Sequence, residues 1–524
     1  MPTFQKFLSA TLRSLALTSM VWGVMFIDAA TAFSAPPSRP PNIIFVLADD
    51  LGYGDLGCFG QRLIRTPNLD RLAAQGMRLT QHYSGNAVCA PSRCVLMTGK
   101  HPGHAIVRDN RGLAGASVRN EIPESEGQFP IPDGTLTMAE RLRPLGYRAG
   151  GFGKWGLGGP NSPGAPLRQG FDRWFGYNCQ AVAHNFYPTY LWDDDRAMRL
   201  PNSAFSAHDR LGPDADPRDP ASYLRFQGRA YSADLIAEQA LRFIRESADQ
   251  PFFLYWPTTV PHVALQVPDD SLAEYVGKFE DPPYPGGRGY LPHFRPRAAY
   301  AAMITRMDRE IGRAMDLIEE LGLESETIFV FTSDNGPLHG THEGLAGTDS
   351  LFFNSHGGLR DGKGTLYEGG IRVPAIVTWK GHIAPGTVSS RVSGFEDWLP
   401  TLLELVGAAG SITPDMDGIS MARELLGQPQ EPRAFLYREF AGYGGQQSIR
   451  VGDWKLIRRG LSPRPRGRDS TSASELYELR DDPSESTDMS ERHPQVVARL
   501  QTLMRANRSP SVDFPIPELD RPAP

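Results

Sequence analysis

Asn42-Ile-Ile-Phe-Val-Leu-Ala48, followed at once by Asp49-Asp50, is the stretch that decides the fold. An uncharged run rich in β-branched and aromatic side chains describes a strand buried on both faces, which belongs in a parallel sheet covered by helices. The two carboxylates at its carboxyl end, with Gly52, Gly54 and Gly57 behind them, stand where open α/β sheets place their ligands. Carboxylates there, with no cationic run nearby, need a metal or water; an Asp-Asp pair in isolation is a solvated turn.

Three more stretches repeat the pattern. Tyr147 to Phe152 leads into Gly153-Lys154-Trp155-Gly156-Leu157-Gly158, where a lysine among glycines can approach an anion without crowding. Pro251 to Trp256 delivers Pro261-His262, which places His262 beyond a strand's carboxyl end, where a general acid would have to be. Thr327 to Thr332 runs into Ser333-Asp334-Asn335-Gly336, a carboxylate beside an amide oxygen, although Asp-Asn-Gly is also an ordinary turn sequence. Helices are expected between the strands: Thr66 to Gly76, with Thr66 as N-cap and Pro67 at the first position, then Tyr231 to Ser247 and Arg297 to Gly322.

Val88-Cys-Ala-Pro-Ser-Arg-Cys-Val-Leu-Met-Thr-Gly99 reads as a loop feeding a helix, with Pro91 tolerated in the first turn. Cys89 then sits at a helix N-terminus, where unpaired backbone donors favour an anion. Arg93, one turn along, can add a bidentate grip on oxyanion oxygens. The pattern describes a sulfate or phosphate site; a buried structural thiol is the plainer reading of Cys89 taken alone.

Cys-X-Pro-Ser-Arg followed by Leu-Met-Thr-Gly resembles the signature of the type I sulfatases. Asp49 to Gly57, Lys154 in its glycine-rich turn, Pro261-His262, Ser333 to Gly336 and Leu359 to Pro374 are similar to that family's other motifs, in the same order. The resemblance implies an alkaline-phosphatase-like α/β domain with a mostly parallel central sheet, plus a small C-terminal α+β domain with an antiparallel sheet. It implies that a maturation enzyme oxidises Cys89 to formylglycine, whose hydrated aldehyde is the nucleophile. Lys154 would bind sulfate, His262 would protonate the leaving oxygen, and Lys363 would contact the bridging oxygen. Asp49, Asp50, Asp334, Asn335 and the modified Cys89 form an oxygen-rich set for calcium or magnesium rather than zinc. Glu368 and Arg372 are expected to form a structural ion pair. One departure is plain: Gly156 stands where the family commonly has histidine, which leaves the helper for the last step unassigned, with His184 as the candidate substitute.

The substrate is expected to be a sulfated small molecule or glycan, with His104, Arg108 and His184 as candidate contacts. The rival readings are a phosphomonoester or phosphonate ester hydrolase on the same scaffold, and a sugar-binding protein that keeps Cys89 unmodified. A net charge of −6 gives no basic footprint for nucleic acid. Four cysteines in 524 residues are not a disulfide framework. Lys6 and Arg13, the apolar run from Leu15 to Ile27 and Ala30-Thr31-Ala32 match a secretory signal over 1–32, so a secreted or periplasmic protein is expected, with no stable membrane span after cleavage. A linker over 33–41, a catalytic domain over 42–411, a small domain over 412–508 and an unstructured Pro-rich tail over 509–524 complete the expected organisation.

Overall fold

The computed structural model describes residues 39–112, 126–287, 289–338, 348–463 and 472–520. Its large sheet contains β1 (Asn42–Ala48), β2 (Met77–Tyr83), β3 (Arg148–Lys154), β4 (Arg173–Tyr177), β5 (Tyr190–Asp193), β6 (Arg196–Arg199), β7 (Phe252–Pro257), β8 (Thr327–Ser333), β9 (Arg372–Thr378), β10 (Thr387–Ser389) and β11 (Ser393–Gly394). The strands run in the order β10-β2-β9-β8-β1-β7-β3-β4-β5-β6, with β11 beside β2. β8, β1, β7, β3 and β4 are all parallel, while β9 runs antiparallel to both β8 and β2.

Side-chain alternation in β1 explains why no polar residue follows Asn42 within it. Ile44 and Val46 enter one apolar layer with Leu69 and Leu72 of the helix Pro67–Gln75, Ile236 of Ser232–Glu246 and Ile304 of Pro296–Glu320. Ile43, Phe45 and Leu47 enter the opposite layer with Leu96 and Met97 of Cys89–Thr98 and Leu399 and Leu402 of Trp398–Leu405. A strand covered on both sides has no solvent face to make polar. The helix Pro67–Gln75 starts as expected, but its side-chain cap is not Thr66: Asp308, on the long helix, accepts from the backbone N–H groups of Asn68 (3.1 Å) and Leu69 (2.7 Å).

A second, four-stranded antiparallel sheet is formed by β12 (Leu436–Phe440), β13 (Gln446–Val451), β14 (Trp454–Arg459) and β15 (Ala473–Glu478). The helix Pro494–Ala506 packs on it through Leu500 and Met504. Leu436 and Phe440 share an apolar cluster with Tyr83, Val88, Leu366 and Ile371, so this sheet rests against the loop that starts the Cys89 helix. Buried ion pairs reinforce the junction: Lys455 reaches Glu368 (2.8 Å) and Glu485 (2.9 Å), and Glu396 meets Arg433 (2.7 Å) and Arg438 (3.0 Å). The expected Glu368–Arg372 pair is present at 3.5 Å.

The expectation of an unstructured tail from Ser509 is corrected as far as Asp520. Phe514 and Ile516 are buried, Phe514 stacks edge-on against Phe129, and Arg111 lies over both rings. These apolar anchors act with the Arg508–Asp520 ion pair (2.7 Å) and the hydrogen bond from Arg108 to the Ser509 carbonyl (2.9 Å) to hold the segment down. All four cysteines are unpaired. Among the described residues no helix is long and apolar enough to cross a membrane. The expected signal segment 1–32 and most of the linker lie outside the described residues.

Candidate active site

The parallel strands deliver their carboxyl ends to one edge of the sheet, and the site is assembled there. β1 ends in Asp49 and Asp50, β8 in Asp334 and Asn335, β3 in Lys154, and the loop after β7 carries His262. β9 runs the other way, so its amino end, preceded by Lys363, reaches the same edge. β2 supplies the approach to the helix Cys89–Thr98, at whose first residue stands Cys89. Asn110, which sequence reading passed over, accepts from Ala90 N–H (2.8 Å) and so satisfies one first-turn donor of that helix.

The groups meet at hydrogen-bonding distance. Lys154 Nζ donates to Asp49 Oδ2 (2.6 Å) and to Cys89 Sγ (3.3 Å). Lys363 Nζ contacts both Asp50 oxygens (2.7 and 2.8 Å) and Cys89 Sγ (3.6 Å). The Cys89 thiol donates to Asp49 Oδ1 (3.4 Å). Asp50 adopts a left-handed backbone conformation (φ 64°), uncommon for a residue with a side chain, and its N–H donates to Asp334 Oδ1 (3.2 Å). Asn335 Nδ2 donates to Asp50 Oδ1 (2.7 Å), while Asn335 Oδ1 is buried with no hydrogen-bond partner among the described residues.

Burial raises every carboxyl here, and the neighbours decide the outcome. Asp49 is held far below the usual range because the charges of Lys154, Arg93 and Lys363 outweigh its desolvation. Burial and the Asp49 charge push Asp334 up to about 6, and burial raises Asp50 despite Lys363. Burial and then Asp49 push the Cys89 thiol up to about 12, so the sulfur keeps its proton. Both lysines remain ammonium groups: burial opposes this, but Asp49 for Lys154 and Asp50 for Lys363 overcome it. Burial and then Lys363 hold His262 neutral. Its Nδ1 faces the Val263 carbonyl and its Nε2 lies 3.5 Å from Asp50.

The cluster opens into a cavity of about 670 Å³, lined among others by Cys89, Gln180, His184, His262, Tyr290, Lys363 and Tyr443. His184 stacks on His262 with ring centres 4.6 Å apart and planes 6° apart, which places the candidate substitute histidine in the site. Tyr290 closes on both rings edge-on. Tyr443, with φ 51°, is 68% exposed at the mouth.

Three expectations are corrected. Arg93 does not present its guanidinium to a substrate: it is fully buried, bonded to Asp334 Oδ2 (2.8 and 3.1 Å) and to the Lys154 carbonyl, and it holds that carboxylate in place. Arg108 is buried against Glu439 (2.9 Å) and the carbonyls of Gly103, Ala105 and Ser509. His104 is bound to Asp417 (2.9 Å) and stacked on His101, and like Arg108 it is not among the residues lining the cavity. Both look like free substrate contacts in the sequence because their partners lie more than 300 residues away. Gln180 and Tyr290 were missed because neither sits in a motif.

Cys89 at a helix start, a cluster of acidic oxygens and two ammonium groups all meet at the carboxyl edge of the parallel strands, an arrangement chemically suited to an anionic ester. The Sulfatase family matches residues 41–408, and the family described as N-sulphoglucosamine sulphohydrolase, C-terminal, matches residues 357–509. Human arylsulfatase A is 34% identical over 520 residues, covering 93% of this chain and 91% of its own. Mouse N-acetylgalactosamine-6-sulfatase is 32% identical, covering 79% and 72%. The crystal structure of Ps i-CgsB with k-i-k-neocarrahexaose superimposes with a TM-score of 0.69 at 23% identity, covering 90% and 94%. The chain belongs to the sulfatase family and is a sulfuric ester hydrolase.

Proposed function

We propose that this chain is an exported, metal-dependent and formylglycine-dependent sulfatase that removes sulfate from a carbohydrate. The observation that carries the reading is the convergence of Lys154 and Lys363 on Cys89: two cations face a sulfur that stays neutral, an arrangement that suits an anion bound at residue 89. The donor set fits a hard divalent cation. Asp49, Asp50, Asp334 and Asn335 offer oxygens only, and the orphaned Asn335 Oδ1 is the kind of buried acceptor such an ion satisfies. Three carboxylates already balance Lys154, Lys363 and Arg93, so a divalent ion would leave the site with surplus positive charge for a sulfate ester. Bound calcium or magnesium would neutralise sulfate oxygens, and formylglycine, made from Cys89 by a maturation enzyme, would supply a hydrated-aldehyde nucleophile.

The chain's own side chains then have distinct tasks. Lys154, pinned by Asp49, and Lys363, pinned by Asp50, hold sulfate oxygens where charge moves in the transition state. Arg93 fixes Asp334 and the Lys154 backbone. His262 points Nε2 toward the site because Nδ1 is committed to the Val263 carbonyl. Burial and then the field of Lys363 keep His262 neutral; a bound sulfate ester would offset the second of these and favour a proton on Nε2 for the departing oxygen, with Lys363 donating a hydrogen bond to that oxygen.

A cavity of about 670 Å³ with Tyr443 exposed at its mouth can hold a sugar, and a relative's name specifies an N-acetylgalactosamine 6-sulfate. Galactose-type sugars are therefore the first class to test, and the signal-like segment 1–32 supports a secreted or periplasmic site of action. The test is a panel of sulfated mono- and oligosaccharides, an aryl sulfate and the matching aryl phosphate. Inorganic sulfate released from at least one sugar, at a kcat/KM above that for either aryl ester, is expected. Turnover of the aryl sulfate alone would contradict the carbohydrate reading, and preference for the phosphate would favour the rival phosphoesterase.

A further inference from the structure

Gln180 is more than nine-tenths buried, lines the same cavity as Cys89, His184 and His262, and its Nε2 has no hydrogen-bond partner among the described residues. A buried amide donor with nothing to bond is costly, and such groups are few in folded proteins. Its position is built rather than incidental. The chain beyond β3 pairs with the chain beyond β4 through Trp155 N–H to the Tyr177 carbonyl (2.9 Å) and Gly156 N–H to the Asn178 carbonyl (3.3 Å), which brings Gln180 over Gly156. Gln128 accepts from the Gln180 backbone N–H (2.8 Å) and fixes the approach. A Cβ on Gly156 would stand only 2.4 Å from Gln180 Nε2, and Gly156 holds φ +84°, a conformation that disfavours side chains. The space a side chain at position 156 would use is therefore filled from the neighbouring strand end by a carboxamide.

We infer that Gln180 is a sulfate-binding residue of this enzyme: its Nε2 donates a hydrogen bond to a non-bridging oxygen of the sulfo group held beside residue 89. A carboxamide donates without titrating, so this contact orients the anion and takes no proton, and any base for the final step must be sought elsewhere. The inference rests on the cavity being the sulfate ester site, and its test reads binding directly so that the two can fail separately.

The experiment titrates inorganic sulfate calorimetrically, at fixed ionic strength, into the wild-type protein and into Gln180→Met and Gln180→Glu. Methionine keeps the volume over Gly156 but removes the donor, and glutamate keeps the shape but adds repulsion. Affinity is expected to fall roughly tenfold for the first and roughly a hundredfold for the second, the range for a lost hydrogen bond to a charged group. The fall should come at an unchanged melting temperature, with kcat/KM for a sulfate ester falling in the same order. Unchanged sulfate affinity in both variants would overturn the inference, and so would loss of folding in both, which would make Gln180 structural. A wild type that binds sulfate yet hydrolyses no sulfate ester would break the proposed function and leave this assignment standing.

Discussion

The molecule buries charge in two places, and they are built differently. At the junction of the two sheets, Glu396 sits between Arg433 and Arg438, and Lys455 between Glu368 and Glu485, so that each cation is aimed at a carboxylate. At the carboxyl edge of the large sheet, Lys154 and Lys363 also hold carboxylates, yet both turn toward a protonated sulfur, and Asn335 Oδ1 and Gln180 Nε2 have no hydrogen-bond partner among the described residues. Two junction oxygens, Glu396 Oε2 and Glu485 Oε1, also lack a hydrogen bond, but each has a cation nitrogen beside it (3.0 and 2.9 Å), an answer that Asn335 Oδ1 and Gln180 Nε2 do not have among the described residues. A buried ion cluster is thus read as structural or functional by which polar atoms remain unanswered, not by how many charges it holds.

The sharpest way to break the contrast is Cys89→Ala. Sulfate ester hydrolysis should fall by at least about 10⁴-fold in kcat/KM, while the melting temperature stays close to wild type because no buried charge loses its only partner. Next, Lys363→Ala should lower kcat/KM by roughly 10²- to 10³-fold, with the larger share in kcat, since the cation acts where charge develops. Steady-state kinetics on one substrate checks both. If Lys363→Ala changed only KM, the lysine would be a ground-state contact.

Glu396→Gln tests the other cluster and should do the opposite. Removing one charge leaves Arg433 and Arg438 partly uncompensated, which costs about 3 kcal/mol or more, while kcat/KM of the folded protein stays within a few-fold. Burial raises Glu396, but Arg438 and Arg433 outweigh it and hold the carboxyl at about 2, below its ordinary 4.5. A folded value below the unfolded one means stability present above pH 4.5 and lost as pH falls from there toward 2. Urea midpoints against pH should show a smaller loss in Glu396→Gln than in the wild type, the remainder coming from carboxyls such as Glu368 that are also held low. The smallest effect is expected from Gly156→Ala, which meets both the positive φ and the Gln180 amide and should lower stability by about 1 kcal/mol.

Most of the strand-end cluster was legible because each element announces itself locally. The strand at Asn42–Ala48 and its trailing Asp49-Asp50 are contiguous, as are β8 with Asp334-Asn335 and β3 with Lys154. The parallel sheet then does the gathering, so a local pattern suffices to place the group. Pairings between distant segments were not legible. Arg108 looks like a surface cation until Glu439, 331 residues later, is folded against it, and Arg93 looks free until Asp334 arrives. Gln180 lies in no motif at all; only the register of β3 with β4 puts it above Gly156. Phe514 and Ile516 hold a Pro-rich tail that composition alone describes as loose.

Mass spectrometry of the peptide that contains residue 89, taken from a preparation whose sulfatase activity has been measured, tests the central claim most directly. The account predicts an aldehyde at that position, in a fraction that rises with specific activity across preparations. Full activity from protein that carries only the cysteine thiol there would contradict it.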